Sequence, residues 1–261
     1  MNSKPALKRE DQEKLPPAMI LAGGLGTRLR AAYEAGPKSM APVGGRPFLD
    51  YLLTWLRSEG VEEVILCVGY KRASIQRYVG RGRKWGLRVT YSIEHELLGT
   101  GGAVKKAEGL ISGERLLVIN GDTLVEVSLR ELVNFHRSRK AWATLAVVKV
   151  ADDRRYGSLR MDRGGRITAF LEKRERGTGK NGEDGRRPIN GGVYVFEKKL
   201  LSRIHPRWPI SLENEVFPRL AAGRRTYGFV TDTYFVDIGI PDDLRRAQTE
   251  LRERFRVSNP D

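Results

Sequence analysis

The chain has 261 residues, 40% of them hydrophobic and 30% charged, a balance that suits one main globular core and excludes a disordered or fibrous chain. It contains no apolar run long enough for a membrane-spanning helix, and its charged first fifteen residues lack the apolar middle of a signal peptide. The net charge of +15 suits nucleic acid, small phosphorylated ligands or a solvated surface, and does not choose among them.

In chain order, residues 1–15 read as a flexible extension, with Pro16-Pro17 opening a single domain over 16–252 and a tail over 253–261. Ala18 to Ala22 is a short apolar run ending at Gly23-Gly24, as a buried parallel strand would. Helical periodicity over Phe48 to Arg57 is closed by Gly60. Glu63 to Val68 is a second strand, Ser74 to Val79 a short helix, and Leu87 to Ile93 a third, alternating strand. Thr100 to Glu108 predicts a helix, and Leu116 to Ile119 a fourth strand stopping at Asn120-Gly121-Asp122. A helix over Leu129 to Arg137 precedes strand-like segments at Ala143 to Val150, Gly157 to Met161, Ile167 to Glu172 and Gly192 to Phe196. A helical stretch over Leu212 to Ala222, strands near Tyr227 and Phe235, and a helix from Pro241 complete the pattern. The fold class is therefore α/β: a Rossmann-like, mixed but mainly parallel sheet with helices on both faces, its second half partly antiparallel. Glycine and charge make Arg174 to Arg187 a mobile loop.

One cysteine excludes an internal disulfide, and Cys67 lies inside an apolar strand as a small buried hydrophobe. His95, His136 and His205 are scattered without zinc-ligand spacing.

The strongest chemical signal is Gly23-Gly24-Leu25-Gly26-Thr27-Arg28 after the first strand. Glycines let backbone N–H groups approach phosphates, and the arginine adds a fixed cationic fork. It is neither a Walker A loop nor the dinucleotide fingerprint. Ten residues on, Pro37-Lys38-Ser39-Met40 brings a lysine to the same sheet edge. Asp122 lies just past a buried strand, where open α/β sheets hold ligands, and a carboxylate facing phosphates suits magnesium. Asp237, in Phe235 to Pro241, is a second strand-end aspartate able to share that ion.

Taken in order, these stretches resemble the sugar-nucleotide pyrophosphorylases, nucleotidyltransferases with a glycosyltransferase-A-type α/β fold. The resemblance runs from about Ala18 to Gln248. Gly99 to Ala103, Asn190 to Tyr194 and Ser211-Leu212-Glu213 are most similar to the branch that guanylylates D-glycero-α-D-manno-heptose 1-phosphate. One departure is Ser39, where many relatives carry proline.

The resemblance implies a nucleoside triphosphate and a sugar 1-phosphate as substrates, Mg²⁺ as cofactor, no nucleic acid or membrane partner, a cytoplasmic monomer or homodimer, and pyrophosphate as by-product. Arg28 would stabilise the departing pyrophosphate, Lys38 would bridge the reacting phosphates, and Asp122 with Asp237 would hold the metal. Leu21, Ala22, Gly23, Gly24, Gly26, Thr27, Gly99, Thr100 and Gly121 would surround the nucleotide. Guanine offers two adjacent N–H donors that one carboxylate accepts together, which favours Glu94, with Glu96 competing, and hence GTP. Gly157, Glu172, Lys173, Asn190 and Gly191 would approach the sugar. Uridylyl, thymidylyl and mannose 1-phosphate guanylyl transfer, a non-catalytic nucleotide-sensing relative, and an RNA-binding protein suggested by charge alone stand as alternatives.

Overall fold

The computed structural model describes residues 14–29, 32–153, 156–171, 185–205 and 208–255. Strand β1 (Ala18–Ala22) leads into the glycine loop, and a two-residue ribbon, β2 (Pro42–Val43) with β3 (Arg46–Pro47), precedes helix α1 (Phe48–Ser58). Alternating units follow: β4 (Glu63–Val68), α2 (Arg72–Val79), β5 (Arg88–Ile93), α3 (Gly99–Lys106) and β6 (Arg115–Asn120). The chain continues through β7 (Thr123–Val125), α4 (Leu129–Ser138), β8 (Ala143–Val150), β9 (Leu159–Met161), β10 (Ile167–Phe170) and β11 (Arg187–Glu197). It closes with α5 (Phe217–Ala222), β12 (Thr226–Thr231), β13 (Phe235–Asp237) and α6 (Pro241–Arg254).

Seven strands form one sheet in the order β12-β8-β11-β6-β1-β4-β5. The β6-β1-β4-β5 portion is parallel, β11 runs antiparallel to both β6 and β8, and β12 is parallel to β8. Alternation along β1 sends Ala18, Ile20 and Ala22 into one apolar layer and Met19 into the other, so both faces are covered. The first layer takes apolar residues from α1, α2, α4 and α6, and the second takes them from α3 and α5. Cys67 is fully buried in the second layer, and burial pushes its thiol well above the ordinary range. No helix among the described residues is long and apolar enough to cross a membrane.

The second half departs from its sequence reading where pairing depends on distant partners. The segments expected at Gly157 to Met161 and Ile167 to Glu172 do not enlarge the main sheet; β9 and β10 pair with each other as a short hairpin. The strand at Phe235 likewise leaves the main sheet and pairs with β7. Strand β11 begins at Arg187, the end of the expected loop, and 174–184 of that loop lie outside the described residues. The helix expected from Leu212 starts as a wider π turn over Leu212–Val216, and Pro218 in the first turn of α5 has no N–H to donate backward. Helix α6 runs to Arg254, and Phe255 packs edge-on against Tyr51 at 5.3 Å, so the ordered domain passes the expected boundary at 252.

Candidate active site

The parallel strands β1, β4 and β6 run side by side, and the loops leaving β1 and β6, with the turn at Lys38, line an open cleft of about 200 Å³. Leu21, Ala22, Gly24, Gly26, Thr27, Arg28, Lys38, Gly121 and Asp122, all expected from the sequence, line it. Gly121 donates its N–H to the Leu21 carbonyl at 3.0 Å, and a Cβ at Gly121 would lie only 2.5 Å from that oxygen. Only glycine permits this approach, which draws the β6 end against the phosphate loop. Arg28 is exposed on a short 3-10 turn over Thr27–Leu29, and Leu29 anchors that turn in the core.

Lys38 and Asp122 line the cleft, and Asp237, which does not, lies against Lys38. The antiparallel β7–β13 ribbon sets Thr123 opposite Asp237, and Ile238 N–H donates to the Asp122 carbonyl at 2.9 Å. Lys38 Nζ donates to Asp122 Oδ2 at 2.5 Å and lies 3.6 Å from Asp237 Oδ1. Burial alone would raise the Asp122 carboxyl, but Lys38, the Thr123 hydroxyl and Arg28 hold it below its ordinary value. Burial and the neighbouring Asp122 charge push Asp237 up to about 6, against Lys38, the Gly239 N–H and Arg28. Among the described residues no cluster of three or more His, Cys, Asp or Glu side chains could hold a metal. Two hard carboxylates facing a phosphate-sized cleft instead fit a divalent ion whose remaining ligands are substrate oxygens.

Glu94 lies directly behind the glycine loop. It is 6% exposed, and a Cβ at Gly23 would fall 2.4 Å from its Oε1, so glycine there makes room for the carboxylate. That Oε1 has no hydrogen-bond partner among the described residues. Burial pushes the Glu94 carboxyl up to about 7, against Lys106 and the Leu98 N–H. Its competitor Glu96 is exposed.

Gly99 and Thr100 do not line the cleft and pack against residues 210–213. A Cβ at Gly99 would meet the Ile210 carbonyl at 2.4 Å. Thr100 Oγ1 donates to Glu213 Oε2 at 2.8 Å and accepts from Leu212 N at 2.8 Å. Ser211 Oγ donates to the same Glu213 oxygen at 2.8 Å. The hydroxyl expected to meet the nucleotide therefore clamps the start of α3 onto the 211–213 turn.

Of the residues expected at the sugar, Asn190 N donates to the Gly157 carbonyl at 2.9 Å, and Gly191 is buried beside it. Asn190 Oδ1 accepts from Gly192 N at 3.0 Å, while its Nδ2 donates to the Tyr194 hydroxyl at 3.0 Å. Tyr194 is fully buried, and its hydroxyl also meets the Asn120 side chain. None of Gly157, Asn190 and Gly191 lines the phosphate cleft. Glu172 and Lys173 lie outside the described residues.

Sequence reasoning missed Ser39 and Gly239, which also line the cleft. Both sit inside motifs already singled out, one residue after Lys38 and two after Asp237, so proximity to a charged partner was the available signal. Glu213 was noticed as a motif, but its hydrogen bond to Thr100 spans 113 positions and has no local signature.

A cleft lined by a glycine loop, Arg28 and Lys38 at the carboxyl edge of this sheet, with Asp122 and Asp237 at neighbouring strand ends, has the charge and backbone access that suit an enzyme transferring nucleotidyl groups. The Nucleotidyl transferase family profile matches residues 17–254. The chain is 43% identical over 235 residues to a D-glycero-alpha-D-manno-heptose 1-phosphate guanylyltransferase of Aneurinibacillus thermoaerophilus, covering 90% of this chain and 98% of that one. It is 39% identical over 236 residues to a mannose-1-phosphate guanylyltransferase of Mycobacterium tuberculosis, covering 90% of this chain but 64% of the relative. A crystal structure of HddC from Yersinia pseudotuberculosis complexed with GMP-PN superposes with a TM-score of 0.78 at 35% identity, covering 91% of this chain and 100% of that one. The chain belongs to the Nucleotidyl transferase family, and it is an enzyme of that family.

Proposed function

We propose that this nucleotidyltransferase condenses GTP with D-glycero-α-D-manno-heptose 1-phosphate in the cytoplasm, releasing pyrophosphate and using Mg²⁺. The observation that carries the guanine reading is the buried Glu94 carboxylate behind the glycine loop, with one oxygen unpartnered. Guanine N1–H and N2–H are two adjacent donors for it, whereas uracil and thymine present one N–H between two acceptors. The heptose reading is supported by the heptose-specific name of a relative matched over 98% of its length.

The chemistry is an in-line displacement. An oxygen of the sugar phosphate attacks the α-phosphorus, the new P–O bond forms, and the bond from the α-phosphorus to the bridging oxygen breaks. The electron pair leaves with pyrophosphate. Because the second pKa of a phosphate monoester is about 6, the nucleophile is mostly ionised at neutral pH and needs no strong base. Catalysis then consists of alignment and charge neutralisation. Lys38, now shared between Asp122 and Asp237, bridges the two reacting phosphates. Arg28, exposed at the rim, meets the departing pyrophosphate. Asp122 and Asp237 would hold Mg²⁺, which supplies further neutralisation and orients the triphosphate.

Pyrophosphate release measured with four nucleoside triphosphates against heptose, mannose and glucose 1-phosphates tests the proposal. GTP with the heptose phosphate is the expected best pair. Preference for UTP or dTTP would sink the role of Glu94, and preference for mannose 1-phosphate would replace the sugar while keeping the reaction.

A further inference from the structure

Ser39 occupies the middle of the 3-10 turn over Lys38–Met40. The turn is tightly built: Met40 N donates to the Pro37 carbonyl at 2.8 Å and Ala41 N to the Lys38 carbonyl at 3.0 Å. Ser39 itself is 3% exposed, yet its hydroxyl has no hydrogen-bond partner among the described residues. A buried hydroxyl left unpaired is unfavourable, so such a group calls for a partner that arrives with a ligand.

The surroundings define that partner. Ser39 lines the cleft with Arg28, Lys38 and the glycine loop, a lining rich in cations and backbone N–H groups. An ionised phosphate offers only acceptor oxygens, and an unpartnered hydroxyl in a lining that also holds Arg28 and Lys38 adds a donor for it. The turn also lies on the nucleotide side of the cleft. A Cβ at Gly26 would lie 3.2 Å from Lys38 Cβ, so the turn backs directly onto the glycine loop. Gly157 and Asn190, expected at the sugar, do not line this cleft.

We propose that Ser39 is a further binding residue of this enzyme, its Oγ–H donating to the polyphosphate of the nucleoside triphosphate and holding the same oxygens in the pyrophosphate product. This rests on the reading that the cleft takes a triphosphate.

The test compares wild type with Ser39→Ala. With magnesium present, the Kd for inorganic pyrophosphate, measured by calorimetry, rises about tenfold, and KM for GTP rises in parallel. KM for the sugar 1-phosphate stays within twofold, and the melting temperature of the unliganded variant is at least that of wild type. A group that weakens ligand binding when removed, without weakening the fold, is one directed at the ligand. Unchanged pyrophosphate affinity would overturn the proposal. So would a shift confined to the sugar 1-phosphate, or a lowered melting temperature with all affinities reduced together. Should wild type turn over no nucleotide, the functional reading fails, while the pyrophosphate comparison still decides the role of Ser39.

Discussion

On the β1-β4-β6 side of the sheet the functional side chains emerge from strand ends held by parallel neighbours, whereas on the β8-β11 side they emerge from a bulge. Ala22, Gly121 and Asp122 follow directly from paired strands, and Asp237 is locked to Thr123 by its ribbon. In β11 the register against β8 shifts between Asn190 and Tyr194, and hydrogen bonds among Asn190, Gly192 and Tyr194 fill the irregularity. A rigid edge suits phosphates, whose geometry is constant across substrates. A bulged edge is easier to reshape, because its geometry is set by a few side chains rather than by the sheet ladder.

The sharpest way to break this contrast is at the rigid edge. Asp122→Asn should fold normally but lose about a thousandfold in kcat, because it removes a charge from the reacting centre. Pyrophosphate release with a circular-dichroism control checks it, and chelating the metal from wild type should give a loss of similar size. Near-normal turnover in the variant would mean that Asp237 alone carries the metal.

Glu94→Gln comes next. It should cost GTP about thirtyfold in kcat/KM, since hydrogen bonds to a charged group are worth roughly 1.5–3 kcal/mol, and should narrow the gap to UTP. A pH series sharpens the point. The Glu94 carboxyl stands at about 7, above its ordinary value of 4.5, and only the ionised form accepts both guanine donors. KM for GTP should therefore rise roughly tenfold as pH falls from about 8 to 6, and the glutamine variant should lose that slope. The linkage for stability has the opposite sense. Because folding raises this pKa, the protonated group favours the fold most below about 4.5, and that contribution is lost as pH rises through about 7. Thermal melts across this window should show wild type losing ground to the glutamine variant at the alkaline end.

On the bulged edge, Asn190→Ala should raise KM for the sugar 1-phosphate about tenfold, the loss of one or two hydrogen bonds, and leave KM for GTP unchanged. Equal shifts in both constants would erase the distinction between the two edges. The smallest effect is expected at their seam. Thr100→Val removes the clamp to Glu213 and Leu212, and should cost about 1–2 kcal/mol in denaturant unfolding with kcat changed only a few-fold.

Much of the rigid edge was legible before any coordinates. Helix α1, β4 and β8 follow from periodicity nearly to the residue, because each buries one stripe or both faces in a continuous layer. The β9–β10 hairpin and the strand near Phe235 were expected to extend the main sheet, and β7, the partner of that strand, carried no strand reading at all. Short strands carry the same alternation whichever partner they find, so their local pattern holds no address.

By itself the sequence determined the alternating α/β pattern, the glycine loop after the first strand, and the placing of Lys38, Asp122 and Asp237 at element ends. These are local matters of burial, turn chemistry and backbone access. The tertiary structure alone decided that Lys38 joins two aspartates 115 positions apart at 2.5 and 3.6 Å, and that Glu94 rather than Glu96 is buried behind the loop. It also joined Thr100 to Glu213 and left the buried Ser39 hydroxyl without a partner among the described residues. The physical reason is common to all four. A polar side chain's role depends on which partners close packing brings within hydrogen-bond reach, and those partners come from elements the chain joins only when it folds.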